Sequence, residues 1–158
     1  MSDFLAITLA VLFAWAGTAK VQEPALIGGW LDKVGLPFYG TSPALAIGIF
    51  EIMLAVAVSS GRIAPVVLAA TWIVISTAVL WRARQRGVGS CPCFGSRRVF
   101  DDQAPQRNLV LLLGLLLLAV LPPPHTDPVA RACVPVLLVA VTAMWGALSL
   151  HTERTPSA

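Results

Sequence analysis

Five apolar runs separated by short polar connectors leave this chain few folds to choose from. Residues 4–19, 63–81 and 109–121 contain no charged side chain, residues 43–60 contain only Glu51, and residues 129–150 contain only Arg131. A helix rises about 1.5 Å per residue and needs roughly 20 apolar residues to cross a hydrocarbon core about 30 Å thick. The run at 4–19 reaches that length if Lys20 snorkels or sits in a polar pocket. The run at 109–121 reaches it if its helix begins near Pro105 and carries Gln106, Arg107 and Asn108 at the interface. Composition agrees. Charged residues make up 12% of the 158-residue chain, against about 25% in soluble domains, too few to cover a water-facing surface.

The expected fold is therefore all-α, a polytopic membrane helical bundle forming a single integral membrane domain over 1–158. The predicted helices are 4–20, 43–60, 63–82, 106–122 and 129–150, with a charged loop at 83–105. The connector 22–41 carries Pro24, Gly28, Gly29, Pro37 and Gly40, and a short amphipathic helix over 25–34 fits it. Trp30, Phe38 and Tyr39 suit a segment lying at the membrane surface. Residues 1–19 lack the basic n-region of a signal peptide and read as a retained first helix. The net charge of +3 and pI near 9.1 do not imply nucleic acid. The basic residues sit beside apolar runs, as topology determinants and lipid-headgroup contacts do.

The charged loop holds the stretch Ser90-Cys91-Pro92-Cys93-Phe94-Gly95. A disulfide across one intervening residue closes a small, strained ring, and strain makes a disulfide labile. Arg97, Arg98 and the upstream Arg82, Arg84 and Arg86 favour the thiolate. Cys91 and Cys93 are therefore the candidate catalytic pair, with two structural cysteines as the bland alternative. Three cysteines and two distant histidines make a poor zinc set, so no metal site is assigned. Cys133, alone in an apolar run, reads as packing, with a resolving thiol as the lesser alternative. His125 and His151 read as solvated.

Glu51 lies halfway along a span, where an ionisable group costs roughly 2.5–3.5 kcal/mol and must face the bundle with a partner. Lys20 is the obvious one. A structural ion pair and a proton acceptor beside the thiols remain equal readings. Trp15, Trp72, Trp81 and Trp145 are explained by anchoring and packing. A quinone among the aromatic side chains is compatible with the sequence, which demonstrates no cofactor. Gly17, Gly48, Gly114 and Gly146 suit close helix packing in lipid.

Orientation is contested. With the thiol loop cytoplasmic, nine of the eleven Lys and Arg fall inside, all but Arg62 and Arg131, as the positive-inside rule favours. Thiol-oxidising chemistry instead favours the oxidising face.

Taken in order, residues 13–20 (Phe-Ala-Trp-Ala-Gly-Thr-Ala-Lys), Glu51, Cys91-Pro92-Cys93-Phe94-Gly95 and Arg107-Asn108 resemble the MauE family, methylamine-utilisation membrane proteins related to the DoxX-like group. The resemblance covers about residues 5–121. Proline between the cysteines and a fifth helix after the usual four depart from the pattern. The resemblance implies a DoxX-like four-helix core, here with a C-terminal fifth transmembrane helix, in a bacterial inner membrane. It also implies thiol–disulfide chemistry, often with a thioredoxin-like partner, during maturation of a disulfide-containing protein. On that reading Lys20, Glu51, Arg107 and Asn108 support Cys91 and Cys93 at one end of the bundle. Lys20 and Arg107 tune the thiolates, and Glu51 moves a proton or holds Lys20. The alternative is a non-catalytic membrane assembly factor or chaperone of the DoxX-like type. A small-molecule transporter ranks third.

Overall fold

The first helix, α1 (Ser2–Gln22), places Asp3 in its opening turn and Lys20 in its last, each charge complementing the helix dipole. The computed structural model describes residues 2–36, 40–88, 104–122, 129 and 132–140. After Glu23 the chain re-enters helix as α2 (Pro24–Val34), with proline at the helix start, where a missing N–H costs nothing. Gly35 ends α2 in the left-handed conformation, φ 70°. The Leu36 amide then donates to Leu31 O at 3.3 Å, the closure that satisfies a helix's last carbonyls.

Helix α3 (Ser42–Ser59) also opens on a proline, Pro43. A tight turn follows, in which the Gly61 amide donates to Val58 O at 2.9 Å, and leads into α4 (Ile63–Gln85). Helix α5 spans Ala104–Val120, and residues 132–140 are also helical. Helices α1, α3 and α4 are each long and apolar enough to cross a membrane; α5 is apolar but shorter.

Several helix ends differ from the sequence expectation. α1 gains two residues at each end, and α4 runs past Arg82 to Gln85, with Arg82 and Arg84 in a last turn that favours positive charge. α5 starts two residues earlier than expected, at Ala104, and ends at Val120. Of the expected helix 129–150, the described residues 132–140 are helical. The remainder lies outside the described residues.

The most extensive packing joins α1 to α3. Gly17 lies against Ile52, and Gly48 lies against Val21 and Lys20, so the helices run antiparallel. A Cβ on Gly17 would fall 2.6 Å from Gly48 O, and one on Gly48 would fall 2.7 Å from Gly17 O. Only two glycines let the backbones touch this closely, the packing used by helices in lipid. α5 returns beside α1, with Leu9 against Gly114, and beside α4. The order of contact is thus α1, α3, α4, α5 and back to α1. Leu9, Phe13, Leu54, Val58, Ile73 and Leu115 fill the shared core.

Two contacts in this ring are thin, α1 with α5 and α3 with α4. Although a tight turn joins α3 to α4, they touch far less than α1 and α3 do. A second cluster lies at the other end of these two helices. There Ile27, Trp30, Leu31 and Val34 of α2 pack on Leu80 and Ala83 of α4, Ala44 of α3 and Ala104 of α5. Arg86 ties the same end together by donating to Val34 O at 2.7 Å. Outward faces stay apolar, with Phe4, Val67, Val74, Leu113 and Leu116 exposed, as helices facing lipid require.

Candidate functional site

Lys20 and Glu51 are nearly fully buried, at 6% and 7% exposure. The lysine Nζ lies 2.6 Å from Glu51 Oε2 and donates a longer bond, 3.3 Å, to Ala16 O. Trp72 Nε1 donates to Glu51 Oε1 at 3.1 Å. Both carboxylate oxygens are therefore engaged, one by a cation and one by an indole N–H. This arrangement meets the demand that a charge within apolar helices be paired and hydrogen-bonded. Phe50 sets its ring edge-on to Trp72, centroids 5.0 Å apart, fixing the indole at this level.

A simple antiparallel hairpin would place mid-helix Glu51 opposite the middle of α1, away from Lys20. The offset comes from α2. Its eleven residues and the connector carry the chain past the end of α1, so α3 begins beside α2, where Ala44 and Ile47 pack. The antiparallel register that seats Gly17 at Ile52 and Val21 at Gly48 then brings Glu51 level with Lys20.

Across the bundle, buried Asn108 donates from Nδ2 to Thr77 Oγ1 at 3.0 Å, and Thr77 Oγ1 donates to Ile73 O at 2.7 Å. The threonine hydroxyl is thus oriented by its own helix and accepts from the next. Arg107, half-buried, stands beside Asn108 at the start of α5.

Lys20, Glu51, Trp72, Arg107 and Asn108 line one cavity of about 530 Å³. Its walls are mostly apolar, with Phe13, Ile27, Trp30, Ile47, Val79 and Leu111 among them, and its polar groups are Lys20, Glu51, Trp72, Ser76, Arg107 and Asn108. Lys20, Glu51, Arg107 and Asn108, proposed together from the sequence, therefore share a cavity. Cys91 and Cys93 lie outside the described residues. Val88, the last described residue before them, packs with the α2 cluster, and Ala104, the first after them, belongs to the same cluster. Both flank the cavity end of the bundle.

Other sequence expectations fare differently. Trp72, assigned to packing and anchoring, is a ligand of the Glu51 carboxylate. Thr77 and Ser76 carried no signal in the sequence, because single hydroxyls in an apolar helix commonly bond their own backbone. The spacing from Trp72 to Ser76 to Val79, one face of α4 at helical periodicity, was the available clue. Trp30 is buried against the cavity. Trp15 and Trp81 are exposed. Cys133, expected to pack, is exposed and carries a free thiol.

Apolar helices of membrane-spanning length, closed around a buried ion pair and a polar-edged cavity, define an all-helical membrane protein with an internal site. More specifically, the chain belongs to the family described as methylamine utilisation protein MauE, whose family model matches residues 1–122. The match takes in α1 to α5 and stops before residues 132–140. Comparison with curated proteins and with solved structures gives no match.

Proposed function

We propose that this protein is a multi-pass membrane thiol–disulfide oxidoreductase or redox relay acting through Cys91 and Cys93. Its working context is methylamine utilisation, as the family description suggests, in maturation of a disulfide-containing protein with a thioredoxin-like partner. The bundle of α1, α3, α4 and α5 is read as the DoxX-like core. The segment containing residues 132–140 is read as part of a fifth transmembrane helix, and the membrane as a bacterial inner membrane.

The observation that carries the reading is the position of the shared cavity. Its lining takes in Lys20, Glu51, Arg107 and Asn108 and runs from the level of Trp72, midway along α4, toward the end of the bundle where α4 finishes and α5 begins. Three residues of extended chain reach about 10 Å, which ties Cys91 to the neighbourhood of Val88. A thiolate of the pair attacks a partner's disulfide, forming a mixed disulfide and releasing one partner thiolate. The second cysteine then attacks the bridged cysteine and displaces the partner sulfur still bound to it, leaving an intramolecular disulfide and a reduced partner. Lys20 holds Glu51 in place; Arg107 supplies positive charge at the cavity edge.

Thiol trapping tests this reading. Cys91→Ser or Cys93→Ser, each leaving one thiol, should accumulate a mixed disulfide with a partner on acid quench and alkylation. Full activity in a variant with both cysteines replaced by serine would sink it. The second reading, a non-catalytic assembly factor, is favoured by one observation. The Lys20–Glu51–Trp72 cluster satisfies both carboxylate oxygens, as a structural cluster does.

A further inference from the structure

The cavity's shape suggests what it holds. Its polar groups belong to α1, α3, α4 and α5, while Ala46 of α3 and Ile75 of α4 line it and are also exposed on the outer surface. Those two residues stand on α3 and α4, one of the two neighbouring helix pairs whose mutual contact is thin. The cavity therefore reaches the apolar flank of the bundle between α3 and α4. The Phe50–Trp72 contact closes that wedge at the level of Glu51. Such an opening faces hydrocarbon and admits molecules dissolved in the bilayer.

The lining narrows the class further. A volume of about 530 Å³ falls within the range of ordinary small-ligand sites, roughly 300–1,000 Å³. An acyl chain would leave the Ser76 hydroxyl and the second N–H of the Asn108 amide, the first being given to Thr77, facing hydrocarbon, a costly arrangement. An organic cation gains little from Glu51, whose oxygens are already engaged by Lys20 and Trp72. A neutral ring bearing hydrogen-bond-accepting carbonyls and an apolar tail uses both parts of the site. Aromatic side chains at Phe13, Trp30 and Trp72 flank the space for the ring.

We infer that the cavity binds a lipid-soluble quinone, admitted between α3 and α4 and oriented by Ser76, Asn108 and the Lys20–Glu51–Trp72 cluster. The binding stands on the cavity alone; its role as electron acceptor rests on the thiol reading above. In that role the exchange with the partner runs in the other direction: a partner dithiol reduces the Cys91–Cys93 disulfide and itself becomes a disulfide, and the quinone then re-oxidises the pair. Two thiols lose two electrons and two protons to become a disulfide, and the quinone gains two electrons and two protons to become a hydroquinone.

The test is equilibrium binding of a short-tailed benzoquinone, decylubiquinone, to the full chain in nanodiscs, with empty nanodiscs as the partition control. One saturable site per chain is expected. Ala46→Trp and Ile75→Trp, which fill the opening, should each weaken binding at least ten-fold, as should Asn108→Leu. Val74→Trp, exposed on α4 but outside the cavity lining, should bind like the parent. Uptake matching empty nanodiscs, unchanged affinity in both opening variants, or a co-purified lipid that decylubiquinone does not displace overturns the inference. A double Cys91→Ser, Cys93→Ser variant separates the two ideas. Saturable binding in that variant, with no thiol cycling in the parent, leaves the ligand standing and removes the redox reading. Thiol cycling without saturable binding does the reverse.

Discussion

Glu51 holds Lys20 at 2.6 Å through one carboxylate oxygen and Trp72 at 3.1 Å through the other, so a single side chain of α3 joins α1 to α4. Breaking a buried pair by removing one partner typically costs about 3–5 kcal/mol, because the other charge is left uncompensated. Lys20→Met and Glu51→Leu should each lower stability by that order in a reversible unfolding titration. The double change Lys20→Met with Glu51→Gln, which leaves an acceptor for Trp72, should recover more than half of the loss. Additive losses would show that the two groups do not act as a pair.

The Gly17–Gly48 contact makes a contrast within one residue type. Gly17→Ala and Gly48→Ala push a methyl into the opposite helix's backbone, an overpacking expected to cost about 1–3 kcal/mol. At Gly29 an added Cβ meets nothing within 4 Å. There the change to alanine should be neutral or stabilise by up to about 1 kcal/mol through helix propensity. Thermal unfolding of the three variants in one detergent measures the difference. Equal effects at all three positions would contradict the contact.

Asn108 and Thr77 offer a cycle at the opposite wall. Thr77→Val leaves the buried Asn108 amide without its acceptor, a loss of about 1–3 kcal/mol. Pairing it with Asn108→Leu should cost less than the sum of the two single changes. A coupling near zero in that double-mutant cycle would mean the 3.0 Å bond contributes little.

Arg86 binds the end of α2 through Val34 O and lies against Gly35, where the left-handed backbone already disfavours a side chain. Arg86→Met should speed hydrogen exchange in the last turn of α2 while leaving α1 and α3 protected. Gly35→Ala should do the same and also lower stability, since it adds strain at positive φ. Unchanged exchange in both would remove the arginine as a tie between α4 and α2.

Much of the fold was legible because lipid imposes a simple rule on sequence: long apolar runs become helices, and charges within them need partners. The runs marked α1, α3 and α4 to within a few residues, and Glu51 pointed to Lys20 at the end of the preceding helix. The register that lets them meet was not legible. It depends on α2 displacing the start of α3, which no periodicity within either helix reveals. Trp72 escaped notice for a related reason. An indole in an apolar helix looks the same in sequence whether it faces lipid or donates to a buried carboxylate, and only the helix crossing decides. Cys91 and Cys93 stood out by spacing, but their position lies outside the described residues, so their part in the site is a proposal.

The shared charge of α1 and α3 also bears on how the chain enters a bilayer. Lys20 emerges during synthesis some thirty residues before Glu51, with α2 between them. Until α3 arrives, Lys20 lacks the Glu51 carboxylate and does best near the headgroups, holding α1 shallow. Pairing lowers the cost of burying both groups, so the two helices are suited to settling as one unit while the Gly17–Gly48 surfaces close. On this view the ion pair also sets a timetable: a nascent chain cut off before residue 51 should leave its first helix loosely held, and completing α3 should lock it in place.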